Sequence, residues 1–278
     1  MKSYIKLNSY GYDSELDTGW GNRFLTWKFS YLLNQFNNFK FDLVVGEKHK
    51  WPELEYIDIP HLKTYEVDDD CEILENEIRV LDKTKNWSMR NEIFYSIPTA
   101  EEFYNIFMKD LNIPKLDIKL KDKKLDSIIR KKLKNSVGIH IRFKRWKSTK
   151  NKKLGSICDY ERNPKPLFDY CDSLLKNVDN FYISTDLIKR DLPNLKNSNN
   201  NFLSEFYNRY ETIDYSDICE VNNKTMRDVI DLYSLIYCDT FIMGQSTWTG
   251  FVEEYRKELN KNKNHMIEME YINAANSR

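Results

Sequence analysis

The 278-residue chain is poor in the residues that punctuate structure, with 8 Gly and 7 Pro. That scarcity excludes a collagen-like helix and an architecture of repeated tight turns. No repeat of fixed period runs through it either. Net charge is also missing, since 43 Lys and Arg face 43 Asp and Glu. A general nucleic-acid binder carries a basic excess to neutralise phosphates, so that class is set aside. Long apolar runs are lacking as well. A stretch such as Asp239–Gly244 falls far short of the ~18 residues that a membrane-spanning helix needs. The cysteines Cys71, Cys158, Cys171, Cys219 and Cys238 form no Cys-x-x-Cys pair, and only four histidines accompany them. No zinc-ligand spacing results, and an odd set of scattered cysteines fits a reducing compartment.

What is present is enough to build a core. Hydrophobic residues make up 41% of the chain and aromatics 14%, which excludes global disorder. Asn and Lys cluster in places such as Lys196–Asn201, which reads as a solvated loop. The opening residues, Met1–Asn8, lack the apolar segment of a signal peptide; taken as the natural start, they lead to the expectation of a cytoplasmic protein.

Strand and helix periods alternate along the chain. Ser3–Asn8 reads as a strand, Thr18–Asn22 as a glycine-containing loop, Arg23–Phe36 as a helix and Phe41–Val45 as a buried strand. Tyr56–Ile59 is a candidate strand. Thr99–Asn112 reads as a helix with a capping box between Thr99 and Glu102. The basic stretch Lys115–Lys134 carries Leu125, Ile128, Ile129 and Leu133 at helical spacing. A domain boundary near Ile113–Asp122 gives an N-terminal domain over 1–118 and a C-terminal one over 119–278. In the second half, Ser136–Arg142, Phe181–Ser184 and Thr240–Met243 read as strands. Pro166–Val178, Asp228–Cys238 and Thr247–Leu259 read as helices, the middle one apolar nearly all round. The alternation predicts an α/β fold with a parallel, doubly wound sheet. In such sheets ligands bind beyond the C-terminal strand ends.

Three polar clusters follow strands in the second half: His140/Arg142, Thr185/Asp186 and Gln245/Ser246/Thr247. The last opens a helix, where free N–H groups and the positive dipole end suit a phosphate. Arg142 adds a permanent charge and a bidentate fork. Together they point to a nucleotide-diphosphate site. Each residue also has a plainer reading. His140 and Arg142 serve equally as structural strand-end groups, and Ser246 or Thr247 as a helix cap. Asp231, on an apolar helix, needs either a structural partner or a ligand.

At these positions the sequence resembles the α1,6-fucosyltransferase and protein O-fucosyltransferase superfamily. Val137–Arg142 is similar to its His-x-Arg motif, and Phe181–Asp186 to its middle motif, a strand ending in Thr-Asp. Asp231–Val252 is similar to its third motif, an Asp-bearing helix, a strand and a Ser/Thr turn. Gly19–Asn22 resembles the opening Gly-x-x-Gly-Asn loop of the O-fucosyltransferases. The resemblance implies a GT-B fold, two Rossmann-like halves facing each other across a cleft. It implies inverting, metal-independent transfer of fucose from GDP-fucose to a glycan or other hydroxyl acceptor, with no cofactor. It further implies that His140 and Asp231 recognise guanine and that Arg142 grips the β-phosphate. Ser246 and Thr247, beside Gln245, hold phosphates, and Asp186 lies near the nucleotide. Gly21 and Asn22 face the reacting sugar.

The chain departs from the α1,6-type pattern in having Phe143 and Arg145 where a second Arg and an acid are expected. Lys150 stands about where the general base would be, so the base is unassigned; Asp17, beside the Asn22 loop, is a candidate for it. Two rival readings stay open. In one, Asp68–Asp70 binds a divalent metal in a GT-A transferase. In the other, the chain binds a nucleotide sugar or glycan without turnover.

Overall fold

In the computed structural model the chain divides into two units, Met1–Lys121 and Asp122–Arg278. The structure describes residues 3–7, 20–45, 51–64, 71–73, 80–89, 117–141, 146–147, 154–155, 164–185, 198–221, 223–243 and 247–266. The helix expected over Thr99–Asn112 and the acidic triplet Asp68–Asp70 lie outside the described residues.

The first unit contains β1 (Tyr4–Leu7), α1 (Trp20–Phe36), β2 (Asp42–Val45), β3 (Ile57–Asp58), β4 (Leu62–Thr64), β5 (Glu72–Ile73), β6 (Trp87–Met89) and β7 (Lys119–Leu120). Five of these strands form a wholly parallel sheet in the order β4-β2-β1-β6-β5. The central β1 is buried at all four positions, as expected of a parallel strand covered on both faces. β3 and β7 pair antiparallel outside that sheet.

α1 starts earlier than its sequence period indicated. Trp20, Gly21 and Asn22 form its first turn rather than a loop. Gly lowers helix propensity by only about 1 kcal/mol. That is too little to stop a helix whose register is fixed by buried Phe24, Trp27, Tyr31 and Leu32. Asn22 is therefore inside the helix and does not cap one beginning at Arg23.

The end of α1 shows what replaces the scarce glycine. Asn38 N–H donates to Gln35 O at 2.9 Å and Phe39 N–H to Asn34 O at 2.7 Å, the pair of bonds of a Schellman motif. Asn38 holds the left-handed conformation there, with φ 57°. Asn135 and Asn260 do the same at φ 60° and 58°, and no described glycine has positive φ. Asn tolerates this region better than other residues with a Cβ. Part of the asparagine content is thus structural, beyond the solvated loops to which the sequence reading assigned it.

The second unit contains α2 (Lys123–Lys132), β8 (Ser136–Ile141), β9 (Trp146–Lys147), β10 (Leu154–Gly155), α3 (Lys165–Leu174), β11 (Asn180–Thr185), α4 (Ser198–Arg209), β12 (Thr212–Ile213), α5 (Tyr215–Ile218), α6 (Lys224–Tyr237), β13 (Thr240–Met243), α7 (Thr247–Glu258) and β14 (Asn264–Met266). Its main sheet is parallel throughout, ordered β12-β11-β8-β13-β14. Counted from β8, that is the order 3-2-1-4-5 of a doubly wound Rossmann half. Three helices differ from the sequence reading, α6 by starting at Lys224 rather than Asp228, where the Asn223 side chain caps it by accepting from Met226 N–H. α3 stops at Leu174 because Leu175 N–H turns back to Asp172 O. α4 starts inside the asparagine run read as a loop. Phe202, Leu203, Phe206 and Tyr210 are all buried, and their spacing of one, three and four residues outweighs weak local propensity.

Strand alternation divides the sheet's two faces. Val137, Ile139, Ile141, Phe181 and Ile183 pack with Leu167, Phe168 and Cys171 of α3 and with Phe202, Leu203 and Phe206 of α4. Gly138 and Tyr182 face α6 instead, and here the helix comes close. A Cβ on Gly138 would meet Cys238 Sγ at 3.0 Å and Leu235 Cδ2 at 3.1 Å. Gly138→Ala is expected to lower stability by about 1–3 kcal/mol through overpacking. Cys238→Ala in the same chain should recover part of that loss, because it removes the nearer atom. Denaturant melts of the three variants check this; an additive double variant would contradict it.

Candidate active site

The topology of the second unit sets the place. β11, β8 and β13 are parallel neighbours, so their C-terminal ends share one edge. The strand order reverses between β8 and β13, which makes that point the topological switch where open α/β sheets take ligands. Arg142 follows β8 directly, Asp186 follows β11, and Gly244–Ser246 separate β13 from α7. Arg142, Asp186, Gln245 and Ser246 themselves lie outside the described residues. Thr247 is the first residue of α7. Gly21 and Asn22 are in the first turn of α1, in the other unit.

Of the candidates in the second unit, the structure sets His140 and Asp231 against the same strand, β11, through Ser184 and Tyr182. His140 is half-buried near the end of β8 and stands opposite Ser184 in the β8–β11 register. Its Nδ1 lies 3.1 Å from Ser184 Oγ, and its ring is 6.4 Å from that of Trp248 on α7. Asp231 projects from α6 and is 5% exposed. Tyr182, two residues before Ser184 on β11, donates its phenol proton to Asp231 Oδ1 at 2.5 Å. Arg227, one turn earlier on α6, places Nε 3.9 Å from Asp231 Oδ2. The same guanidinium donates to Thr185 O at the end of β11 and lies over the Tyr215 ring. Asp231 is thus held by side chains of β11 and its own helix.

These contacts leave Asp231 with a perturbed proton affinity. Burial raises its pKa to about 7, against the smaller opposing pull of the Tyr182 hydrogen bond and the Arg227 charge. Burial likewise pushes the Tyr182 phenol well above its ordinary range. A carboxyl with a raised pKa in the folded state binds its proton more firmly there than in the unfolded chain. Its contribution is present in acid and lost as pH rises from about 4 through 7. The difference in melting temperature, wild type minus Asp231→Asn, should therefore fall between about pH 5 and pH 7.5. Calorimetry across that range is the check, and a flat difference would contradict it.

The sequence reading singled out neither Tyr182 nor Ser184 nor Arg227. The signal for the first two was the strand period. In Phe181–Thr185 the apolar Phe181 and Ile183 share one face, so Tyr182 and Ser184 share the other, towards the helix that carries the acid. Arg227 was legible only as the i, i+4 partner of Asp231.

In the first unit, Arg23 follows Asn22 in α1. Its Nη1 reaches both carboxylate oxygens of Glu53, at 2.6 and 2.7 Å, with both side chains buried. A cation in a first turn opposes the helix dipole, and Glu53 offsets that. The pair anchors the start of α1, and with it the backbone of Asn22, to the short turn Pro52–Glu55.

Among the described residues no cluster of His, Cys, Asp and Glu could hold a metal ion, and no helix is long and apolar enough to cross a membrane. Cys71, Cys171, Cys219 and Cys238 are unbridged.

No family model matches the chain, and no curated protein sequence does. Solved structures do. The fucosyltransferase NodZ from Bradyrhizobium matches with a TM-score of 0.50 at 12% identity, over 91% of this chain and 93% of that one. NodZ alpha-1,6-fucosyltransferase soaked with GDP-fucose gives 0.51 at 12% identity. POFUT1 in complex with GDP-fucose gives 0.50 at 9% identity, over 96% of this chain and 98% of that one. The chain has the fold of these fucosyltransferases. It is therefore an α/β protein of the GT-B type, built from two parallel, Rossmann-like sheets.

Proposed function

We propose that the chain is an inverting, metal-independent glycosyltransferase that moves fucose from GDP-fucose to a carbohydrate or other hydroxyl acceptor. What supports the reading is that β8, β11 and β13, the strands of three of the sequence motifs, are parallel neighbours of one sheet, in a fold shared with structures solved with GDP-fucose. His140 and the Asp231 network sit at the base end of the site. Arg142 grips the β-phosphate and stabilises the departing diphosphate. The start of α7, with Gln245, Ser246 and Thr247, supplies N–H groups for phosphate, and Asp186 lies beside the nucleotide. Gly21 and Asn22 belong to the acceptor side. The reaction needs no cofactor, and the protein works as a cytoplasmic enzyme.

Binding tests the reading first. GDP, GDP-fucose, UDP and ADP are each titrated against thermal unfolding. GDP and GDP-fucose at a hundred times their dissociation constants should add about 2.7 kcal/mol. Protection by UDP or ADP but not by GDP would overturn the donor assignment. Protection by GDP without release of GDP from GDP-fucose would leave a binding module.

A further inference from the structure

Arg227 presents a charge to Asp231 but no hydrogen bond. Its Nε stands 3.9 Å from Asp231 Oδ2, too far to donate, and is buried without a hydrogen-bond partner. Two contacts hold the guanidinium in that place. Nη2 donates to Thr185 O at the end of β11, and Cζ lies over the Tyr215 ring, 4.9 Å from its centroid. The helix itself does not call for a cation there. Arg227 is the fourth residue of α6, where a positive charge opposes the dipole, and a buried N–H left unmet is a further cost. Asp231 gains from that charge. Among the described residues, Arg227 is the cation that the structure sets against this carboxylate. Asp228, on the same helix, acts in the opposite sense. Tyr182 of β11 and Tyr207 of α4 are phenols kept neutral by burial, and Asp214, ahead of α5, acts on both. Burial raises the Asp231 carboxyl to about 7, so its ionisation at neutral pH depends on a neighbouring charge.

We propose that Arg227 is a positioning residue that keeps Asp231 an anion through its charge alone, so that the carboxylate meets its ligand ionised and with no Arg227 N–H bound to it. A guanidinium that closed a bidentate bond would stabilise the anion too, but it would occupy both oxygens. Held off by Thr185 O and Tyr215, this one stabilises the anion and leaves its lone pairs to others. Tyr182 takes one of them on Oδ1, out of about four on an ionised carboxylate. The ligand class that gains carries two adjacent N–H groups, as the edge of guanine does. A protonated carboxyl serves it poorly, because one of its oxygens has become a donor. The choice of ligand rests on the function proposed above, whereas the charge on Asp231 is a property of the ligand-free protein.

The charge is read first without ligand. The melting-temperature difference between wild type and Asp231→Asn should fall with pH up to about 7. Arg227→Gln keeps an N–H for Thr185 O and removes the charge. An opposite charge this close lowers a carboxyl by at least about one pH unit. In the glutamine background the difference made by Asp231→Asn should therefore go on falling to about pH 8. Arg227→Lys should bring the end of the fall back to about 7. GDP affinity is read second. Arg227→Gln should bind GDP roughly fivefold more weakly than wild type at about pH 7, and within about twofold of it at about pH 8.5. Arg227→Lys should lie nearer to wild type at both. A fall that ends at the same pH in the glutamine background as in wild type overturns the proposal. So does a loss of GDP affinity that is equal at both pH values, which is what a merely structural arginine gives. Should Arg227→Gln not fold, the same two measurements on Arg227→Met decide. A shifted fall in a protein whose wild type has no affinity for GDP would sink the functional reading and leave the role of Arg227 standing.

Discussion

Arg142→Ala is expected to reduce fucosyl transfer by roughly 10²–10³, with little change in melting temperature. Arg142 comes immediately after β8, the central strand of the sheet and one side of the switch point. As the bond to the sugar breaks, negative charge accumulates on the diphosphate. A cation already in place stabilises that charge without reorganising. Its guanidinium stays charged at any working pH and can bind two phosphate oxygens at once. Lysine keeps the charge but not the fork, so Arg142→Lys should retain an intermediate rate. Single-turnover kinetics of the three proteins separate the effect on chemistry from that on binding. A rate for Arg142→Ala within threefold of wild type, by the same reasoning, would remove Arg142 from the mechanism.

The largest expected loss of stability comes from a residue outside the site. Arg256 on α7 is fully buried, yet its donors are all directed at acceptors. Nη1 donates to the carbonyls of Leu235, Ile236 and Cys238, at 2.9, 3.0 and 2.6 Å. Nη2 reaches Asp239 O at 3.1 Å and Nε reaches Asn264 Oδ1 at 2.6 Å. The last carbonyls of any helix lack partners within it, and at the end of α6 they are closed off from water. The guanidinium supplies the partners and neutralises the negative end of the dipole. Burial lowers its pKa to about 10, which leaves it charged at neutral pH. Arg256→Leu orphans several buried acceptors together, each worth about 1–3 kcal/mol. The total should reach at least about 4 kcal/mol, or a fall in melting temperature on the order of 10 °C. Arg256→Lys, with fewer donors, should lose less. A leucine variant melting within about 2 °C of wild type would show that water or repacking takes over.

Most of the second unit could be read from the chain because its signals are local. Strands of four to six residues between helices with clear apolar faces define the parallel sheet, and the strand ends carry the polar clusters. What failed was also local. The asparagine run at 196–201 hid the start of α4, because propensity spoke for a loop while the buried face lay four residues further on. Gly21 hid the first turn of α1 for the same reason. β12 and β14 are edge strands of two and three residues, too short to show a period. The site residues divide along another line. His140, Arg142 and Asp231 were visible as chemistry in motifs. Ser184, Tyr182 and Arg256 were not, because their roles depend on the pairing of β8 with β11 and on the approach of α7 to the end of α6. Neither relation is encoded in a short stretch of sequence.

The most direct test of the central claim is release of GDP from GDP-fucose, with the configuration of the liberated or transferred sugar read by NMR in the presence of a chelator. The account predicts release by the wild type with inversion at the anomeric carbon, unchanged by the chelator and lost in Arg142→Ala. Turnover that requires a divalent metal, retains the configuration, or proceeds only with a uridine- or adenosine-linked sugar would contradict it.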